Sequence, residues 1–315
     1  MIPNIWFEQA QQRISPYICT TPLTYDPHLD AYFKWESHQV TGSFKVRGAL
    51  NKVLSLQPWE RSRGIVTASA GNHGQGVALA ASISQAPVIV FASEHAMPRK
   101  VSAMQALGAE VRLVSGGYAE AEQAGLAYAA SHNMTWVSPY NDGQVIAGQG
   151  TLALEVLNQL PTSSNTTWVI PAGGGGLLSG IGAALEHKDN PPRLVAVQSI
   201  ASAYLHALYH TGKQDHISEL PSLADGLSGP VEPGSVTIPL TRKFAQDFVL
   251  VDEEQIAQAI AYAWNHYQEC IEGSAAVALA AVLSGLIPTR PVVILITGGN
   301  LQPEIFDKIM ANQTP

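Results

Sequence analysis

The sequence predicts an α/β fold of two open parallel-sheet domains, and three observations point to it. Short β-rich runs alternate with longer helical ones: Val88 to Phe91, Val111 to Val114, Thr135 to Val137, Val169 to Pro171, Leu194 to Gln198 and Val292 to Thr297. At 315 residues the chain exceeds the usual size of one compact domain, and an apolar fraction of 46% supplies a large core. Glycine-rich turns join strand-like to helix-like runs at two places, and no repeat or low-complexity tract breaks the alternation.

In chain order, Met1 to Arg13 reads as an amphipathic helix carrying Trp6 and Phe7, without the charged and apolar regions of an export signal. Next comes Thr41-Gly42-Ser43-Phe44-Lys45-Val46-Arg47-Gly48-Ala49, where Lys45 sits between apolar and small neighbours. A desolvated amine loses its charge more readily than an exposed one, and a neutral amine attacks an aldehyde. Lys45 therefore has the setting of a Schiff-base lysine, although the segment alone equally describes a surface lysine on an amphipathic helix.

The run Gly64-Ile65-Val66-Thr67-Ala68 leads into Ser69-Ala70-Gly71-Asn72-His73-Gly74-Gln75-Gly76 and an apolar helix beginning near His73. Small residues let backbone N–H groups approach a carboxylate, Ser69 adds a hydroxyl, and the helix offers its positive end. Gly173-Gly174-Gly175-Gly176 stands between Thr167-Trp168-Val169-Ile170 and the helix-like Leu177 to Glu186, an arrangement suited to a phosphate. It is neither a P-loop nor a dinucleotide fingerprint, and each loop alone is also an ordinary turn.

His206 and His210 lie four apart with no neighbouring Glu and read as exposed helix residues. The irregular His216 to Ser235 region, with Leu223-Ala224-Asp225-Gly226-Leu227, reads as a loop at an active site or interface. The longest apolar stretch, Ala275 to Ile287, is interrupted by Ser284 and Gly285 and is too short to span a bilayer. A formal charge of −8 with scattered lysines and arginines gives no footprint for nucleic acid. Cys19 and Cys270 have neither disulfide-framework nor zinc spacing, and a cytoplasmic protein is expected.

Together the lysine segment, the Ser-Ala-Gly-Asn-His loop and the tetraglycine turn resemble the fold type II pyridoxal-phosphate enzymes, of tryptophan synthase β-like architecture, in the threonine/serine dehydratase and serine racemase branch. The resemblance extends from about Pro22 to Asn300 and includes Glu36, Ala147-Gly148-Gln149-Gly150-Thr151, Glu272-Gly273-Ser274-Ala275 and Thr297-Gly298-Gly299-Asn300. Cysteine synthases of this fold carry Asn-Thr-Gly where this chain has Asn72-His73-Gly74, which disfavours the transferase branch.

The resemblance implies a small domain at residues 47–142 inserted into a large one at 1–46 and 143–315, with pyridoxal 5′-phosphate between them. It implies Lys45 as covalent anchor and base, Phe44 near the cofactor and Asn72 at its ring oxygen. Ser69 with Ala70, Gly71, Asn72 and His73 would hold the substrate carboxylate. Gly173, Gly174, Gly175, Gly176 and Leu177 would bind the phosphate, and Thr297 the pyridine nitrogen. Racemases of the eukaryotic serine type carry a serine where this chain has Ala70, which has no transferable proton. Many relatives hold a divalent cation with Glu, Ala and Asp where this chain has Gln198, Ser202 and Tyr204, so no metal is expected.

The resemblance thus implies a lyase converting a 3-hydroxy amino acid, L-threonine or L-serine, to a 2-oxo acid and ammonia. Ser138, Tyr140 and Asn141 depart from the His-Pro-Phe-Asp type of threonine dehydratases and leave a 3-hydroxyaspartate dehydratase open. A serine or amino-acid racemase with side dehydratase activity also stays open, as does a noncatalytic cofactor or amino-acid sensor. A homodimer or larger homo-oligomer is implied, with neither nucleic acid nor membrane as partner. The chain stops soon after its final helix, so neither a C-terminal regulatory domain nor feedback inhibition by isoleucine is expected.

Overall fold

The computed structural model describes residues 2–160 and 166–312. In chain order the elements are α1 (Ile5–Ile14), β1 (Leu23–Asp26), β2 (Ala31–Trp35), α2 (Lys45–Ser55), α3 (Pro58–Arg63), β3 (Ile65–Ala68), α4 (Asn72–Ser84), β4 (Val88–Ser93), α5 (Pro98–Ala106), β5 (Glu110–Val114), α6 (Tyr118–His132) and β6 (Thr135–Trp136). There follow α7 (Gly143–Gln159), β7 (Thr167–Pro171), α8 (Gly176–Leu185), β8 (Arg193–Ser199), α9 (Tyr204–Thr211), α10 (Thr237–Phe244), β9 (Asp247–Val251), α11 (Glu253–Tyr267), α12 (Gly273–Leu283), β10 (Val292–Ile296) and α13 (Pro303–Ala311). Met1, where the expected first helix begins, lies outside the described residues. Two compact units result: one takes the chain up to Ile18 and Lys45–Thr151, the other Cys19–Phe44 and the described residues from Leu152 onward.

The first unit is built on a four-stranded sheet in the order β5-β4-β3-β6, parallel throughout. Its strands alternate faces as a pleated sheet requires. Ile65, Val88 and Val90 pack with Val46, Leu50, Val53, Val77 and Ala81 of α2 and α4. Val66, Ile89 and Phe91 pack on the other face with Ala121 and Ala129 of α6. Burial on both faces explains why these strands read as continuous apolar runs. Chain order reverses at β3, with β4 and β5 to one side and β6 to the other. Open α/β sheets bind ligands beyond the carboxyl ends of strands at such a switch point, and the segment leaving β3 is Ser69–Gly71.

The second unit has a six-stranded sheet in the order β1-β2-β10-β7-β8-β9. Every pairing is parallel except that of edge strand β1 with β2, joined by a tight turn in which Asp30 has φ 46°. Helix α12, Gly-Ser-Ala-Ala-Val-Ala-Leu-Ala-Ala-Val-Leu, is apolar nearly all round and is buried from Gly273 to Val282 against the sheet core of Phe33, Val169, Val195 and Ile294. Chain order reverses between β10 and β7. The loops leaving these neighbouring strands carry Thr297 and the tetraglycine, which places both at a second switch point.

Three strands have no counterpart among the expected runs. β1 is only partly buried, and β9 is a short apolar run that periodicity alone does not separate from a buried helix. β2 is interrupted by a lysine in a buried position: Lys34 is 0% exposed, and its Nζ donates to the Thr21 carbonyl at 2.7 Å, Glu155 Oε1 at 2.6 Å and Gln159 Oε1 at 2.8 Å. Three acceptors satisfy the three donors of an ammonium, which is how a charged group occupies a core position. The expectation that His206 and His210 are both exposed holds for His210 only. His206 is half-buried with its ring edge-on to Phe248 at 5.3 Å, and burial followed by the charge of His210 lowers its pKa.

Candidate active site

In the first unit, the residues singled out by sequence gather at the carboxyl ends of β3 and β6. The Ser69 N–H donates to the Phe91 carbonyl at 2.9 Å, pinning the start of the loop to β4. The Gly71 N–H donates to Ser69 Oγ at 3.1 Å, and the Gly71 carbonyl accepts the Gln75 N–H at 3.2 Å to open α4. Asn72 is the first residue of this 13-residue helix, whose first turn presents backbone N–H groups that the helix itself cannot satisfy. The loop therefore has the donors that an anionic group needs, with Ser69 buried and Gly71 and Asn72 half-buried.

His73 is 3% exposed, and its Nε2 lies 3.2 Å from the Val137 carbonyl. A carbonyl only accepts, so Nε2 carries the proton and Nδ1 keeps its lone pair. Nδ1 is buried and has no hydrogen-bond partner among the described residues. Burial first, then the positive charge of Lys45, pushes the His73 pKa down to about 3, against a smaller upward pull from the Val137 hydrogen bond. The imidazole is neutral at any physiological pH. Lys45 opens α2, is half-buried, and donates from Nζ to the Pro139 carbonyl at 3.3 Å. The chain leaving β6 thus supplies a carbonyl to each, Val137 to the histidine and Pro139 to the lysine. Ser138 between them is buried, with Oγ accepting the N–H groups of Tyr140 at 3.5 Å and Asn141 at 3.0 Å.

In the second unit, the Ala172 N–H donates to the Val197 carbonyl at 2.9 Å, and the chain then turns through the glycines into α8, a ten-residue helix buried along its whole length. Gly173 approaches the backbone of Leu227 so closely that a Cβ would lie 2.8 Å from the Leu227 Cα. Gly175 has φ 81° and caps α8 in the left-handed region, where a Cβ would also meet Thr241 Oγ1 at 2.9 Å. Both positions need glycine, one for space and one for backbone as well. The Gly174 carbonyl accepts from Thr237 Oγ1 at 2.7 Å, while Thr241 Oγ1 is buried without a partner among the described residues.

Thr297, 2% exposed, follows β10 and accepts the Phe44 N–H on its carbonyl at 3.0 Å. Ser43 bridges Gly298, the Gly299 N–H donates to the Gly42 carbonyl at 2.9 Å, and Asn300 Nδ2 donates to the Thr41 carbonyl at 2.9 Å. The segment preceding Lys45 is therefore stitched residue by residue to the loop after β10. Phe44 is half-buried. The Glu272 N–H donates to the Gly298 carbonyl at 3.1 Å, which ties in the Glu272-Gly273-Ser274-Ala275 motif as the start of α12.

Sequence reasoning did not find Thr237 and Thr241 of α10; it marked the segment that contains Leu227 as a loop at an active site or interface without assigning that residue a part. The i, i+4 spacing of the two threonines was the one signal present for them; Leu227 enters through its backbone, so the loop motif marks its segment and not its contact with Gly173. A cavity lined by Thr167, Asn190, Arg193 and Arg290 opens at the opposite, amino-terminal ends of β7 and β8 and contains none of the candidate site residues.

Residues 14–298 match the family model described as pyridoxal-phosphate dependent enzyme. The chain is 37% identical over 310 residues to a protein named L-threonine ammonia-lyase from Thermotoga maritima, covering 96% of this chain and 77% of that protein. Its fold matches the structure of maize serine racemase with a TM-score of 0.87 at 29% identity, covering 98% of this chain and 96% of the other. It also matches the processed form of threonine deaminase isoform 2 from Solanum lycopersicum with a TM-score of 0.89 at 26% identity, covering 98% and 87%.

Proposed function

The chain belongs to the pyridoxal-phosphate dependent enzymes, and on that premise we propose that it is an ammonia-lyase that converts L-threonine, and L-serine beside it, to a 2-oxo acid and ammonia. The residues present fit the cofactor. The glycine turn at the head of α8 admits no Cβ at Gly173 or Gly175 and offers backbone N–H groups of the kind that bind phosphate. A half-buried amine stands ready to anchor an aldehyde, and a hydroxyl-bearing residue follows β10 for a ring nitrogen. When bound, the cofactor supplies the electron sink that makes a Cα proton removable.

On this reading Gly173 to Gly176 and the Leu177 N–H hold the phosphate, Thr297 the ring nitrogen and Asn72 the ring oxygen. Ser69 and the backbone of residues 70–73 hold the substrate carboxylate and so aim the Cα–H bond at Lys45. Lys45 Nζ takes the Cα proton and gives it to the β-hydroxyl as the Cβ–O bond breaks, so that water leaves, and the released enamine hydrolyses to the 2-oxo acid and ammonia. His73 stays neutral and moves no proton; its part is to fill the space beside Lys45 without adding charge.

The observation that carries a lyase over an isomerase is Ala70. The loop that would hold the substrate has its hydroxyl at Ser69, whose oxygen is turned to the Gly71 N–H, and none at position 70, where the racemases of the resemblance carry serine. Inversion needs a proton delivered opposite Lys45, and alanine has none to give. The relatives named L-threonine ammonia-lyase support the same choice. The proposal extends to a cytoplasmic homo-oligomer, which light scattering and cell fractionation would test.

The deciding experiment follows 2-oxo acid and ammonia release by the cofactor-loaded protein from L-threonine, L-serine, D-serine and the 3-hydroxyaspartates. Release from L-threonine or L-serine is the expected result. Inversion of serine without oxo acid would replace the proposal with a racemase, and cofactor binding without any product would replace it with a sensor.

A further inference from the structure

The backbone lying over the first glycine of the phosphate turn belongs to an irregular segment, residues 222–229, that side chains fasten at four places. Glu253 accepts from Ser222 Oγ and from the Leu223 N–H, each at 2.6 Å. Ser274 Oγ accepts the Gly226 N–H at 3.0 Å, and Ser202 Oγ accepts the Gly229 N–H at 3.0 Å. Between them Gln198 Nε2 donates to the Leu227 carbonyl at 3.3 Å. Gln198 is 1% exposed, at the end of β8, and its Oε1 accepts the His206 N–H at 3.1 Å as α9 begins.

One neutral amide thus serves a carbonyl and an N–H at once. A carboxylate at this position could not, because it has no donor; facing the Leu227 carbonyl it would set two acceptors against each other, and a cation between them would be required. The strand-end carboxylate with a divalent cation that the resemblance gives for many relatives does not fit the residues of this chain. Both polar atoms of Gln198 are in use, its Nε2 on the Leu227 carbonyl and its Oε1 on the His206 N–H.

We propose that Gln198 is a positioning residue that stands in for an ion: its amide holds the Leu227 backbone over Gly173, and the phosphate turn is set without a divalent cation. The link to the cofactor is the close approach of Gly173 to Leu227, so this inference rests on the reading of Gly173 to Leu177 as the phosphate site. Ser202 is the second fastening of the same kind, a hydroxyl holding the segment two residues further on.

The test compares wild type, Gln198→Leu, Gln198→Glu and Ser202→Ala, each in EDTA and in millimolar Mg²⁺ or Ca²⁺. The readouts are pyridoxal-phosphate affinity by absorbance titration and the melting temperature of the cofactor-free protein. Wild type should be indifferent to chelator and cation. Gln198→Leu and Ser202→Ala should each weaken cofactor binding about tenfold, equally in both conditions, as expected for a lost buried hydrogen bond. Gln198→Glu should be weak and low-melting in EDTA and recover on adding the cation, a response that a purely structural role would not give. A wild type that loses affinity or melts earlier in EDTA would overturn the proposal, and so would Gln198→Glu with no response to cation. If Gln198→Glu cannot be obtained folded, Ser202→Ala binding cofactor as tightly as wild type would overturn it. Cation-dependent melting of Gln198→Glu without any change in cofactor affinity would leave the fastening intact and remove the phosphate assignment instead.

Discussion

Replacing His73 with Gln should flatten the acid side of the protein's stability profile. The native imidazole is held neutral, with its pKa near 3 against 6.5 in an unfolded chain, by burial and by Lys45. As pH falls below the unfolded value, the unfolded state binds a proton that the native state refuses, so stability present above pH 6.5 is lost on acidification. The slope is about 1.4 kcal/mol per pH unit across that window, and by about pH 5 the loss from this one group is about 2 kcal/mol. Gln donates to the Val137 carbonyl as Nε2–H does, carries no titrating proton, and leaves Lys45 and every other ionisable group in place. Urea unfolding of both proteins between about pH 8 and pH 5 reads the difference directly, because shared titrations cancel. The wild type should lose about 2 kcal/mol more than the variant over that range. A stability difference that stays constant with pH would refute the argument, showing that His73 titrates in the native state as it does unfolded.

Three further outcomes follow from the geometry. Lys45→Ala should abolish the visible absorbance of bound cofactor and lower turnover by about 10³-fold or more, measured by spectroscopy and ammonia release; an active variant would defeat the lysine's assignment. Gly175→Ala must place a Cβ residue at φ 81° against Thr241 Oγ1. The backbone alone costs about 1–2 kcal/mol, so cofactor affinity should drop about tenfold by titration, and unchanged affinity would clear this turn of phosphate binding. Lys34→Met leaves the Glu155 carboxylate and two neutral acceptors without their ammonium and should destabilise the protein by about 3–5 kcal/mol in chemical denaturation; a loss below about 1 kcal/mol would mean that the pair is effectively solvated.

The family and the chemistry were legible because they reside in short, contiguous segments. Ser69-Ala70-Gly71-Asn72-His73, the four glycines and the lysine segment are each a local turn or helix start, in which residue type fixes what the backbone can do within a few positions. The buried strands of both sheets were legible for a related reason, since burial on both faces leaves an uninterrupted apolar run. β2 was not, because Lys34 looks wrong for a core until Glu155 and Gln159, more than a hundred residues away, are brought to it.

The same distinction governs the site. Sequence singled out Lys45, Asn72 and the tetraglycine because three segments, each ordinary alone, occur together in the order and spacing of the family resemblance. Tertiary structure decided the state they are in. That His73 is neutral follows from burial and from Lys45 lying near it; that Gly173 has no room for a side chain follows from the backbone of Leu227. That Gln198 joins the strap to α9 follows from partners 29 and 8 residues away in the chain. Protonation, clearance and hydrogen-bond partnership are properties of what surrounds a group in space, and the order of residues along a chain fixes its surroundings only after the sheets have been assembled.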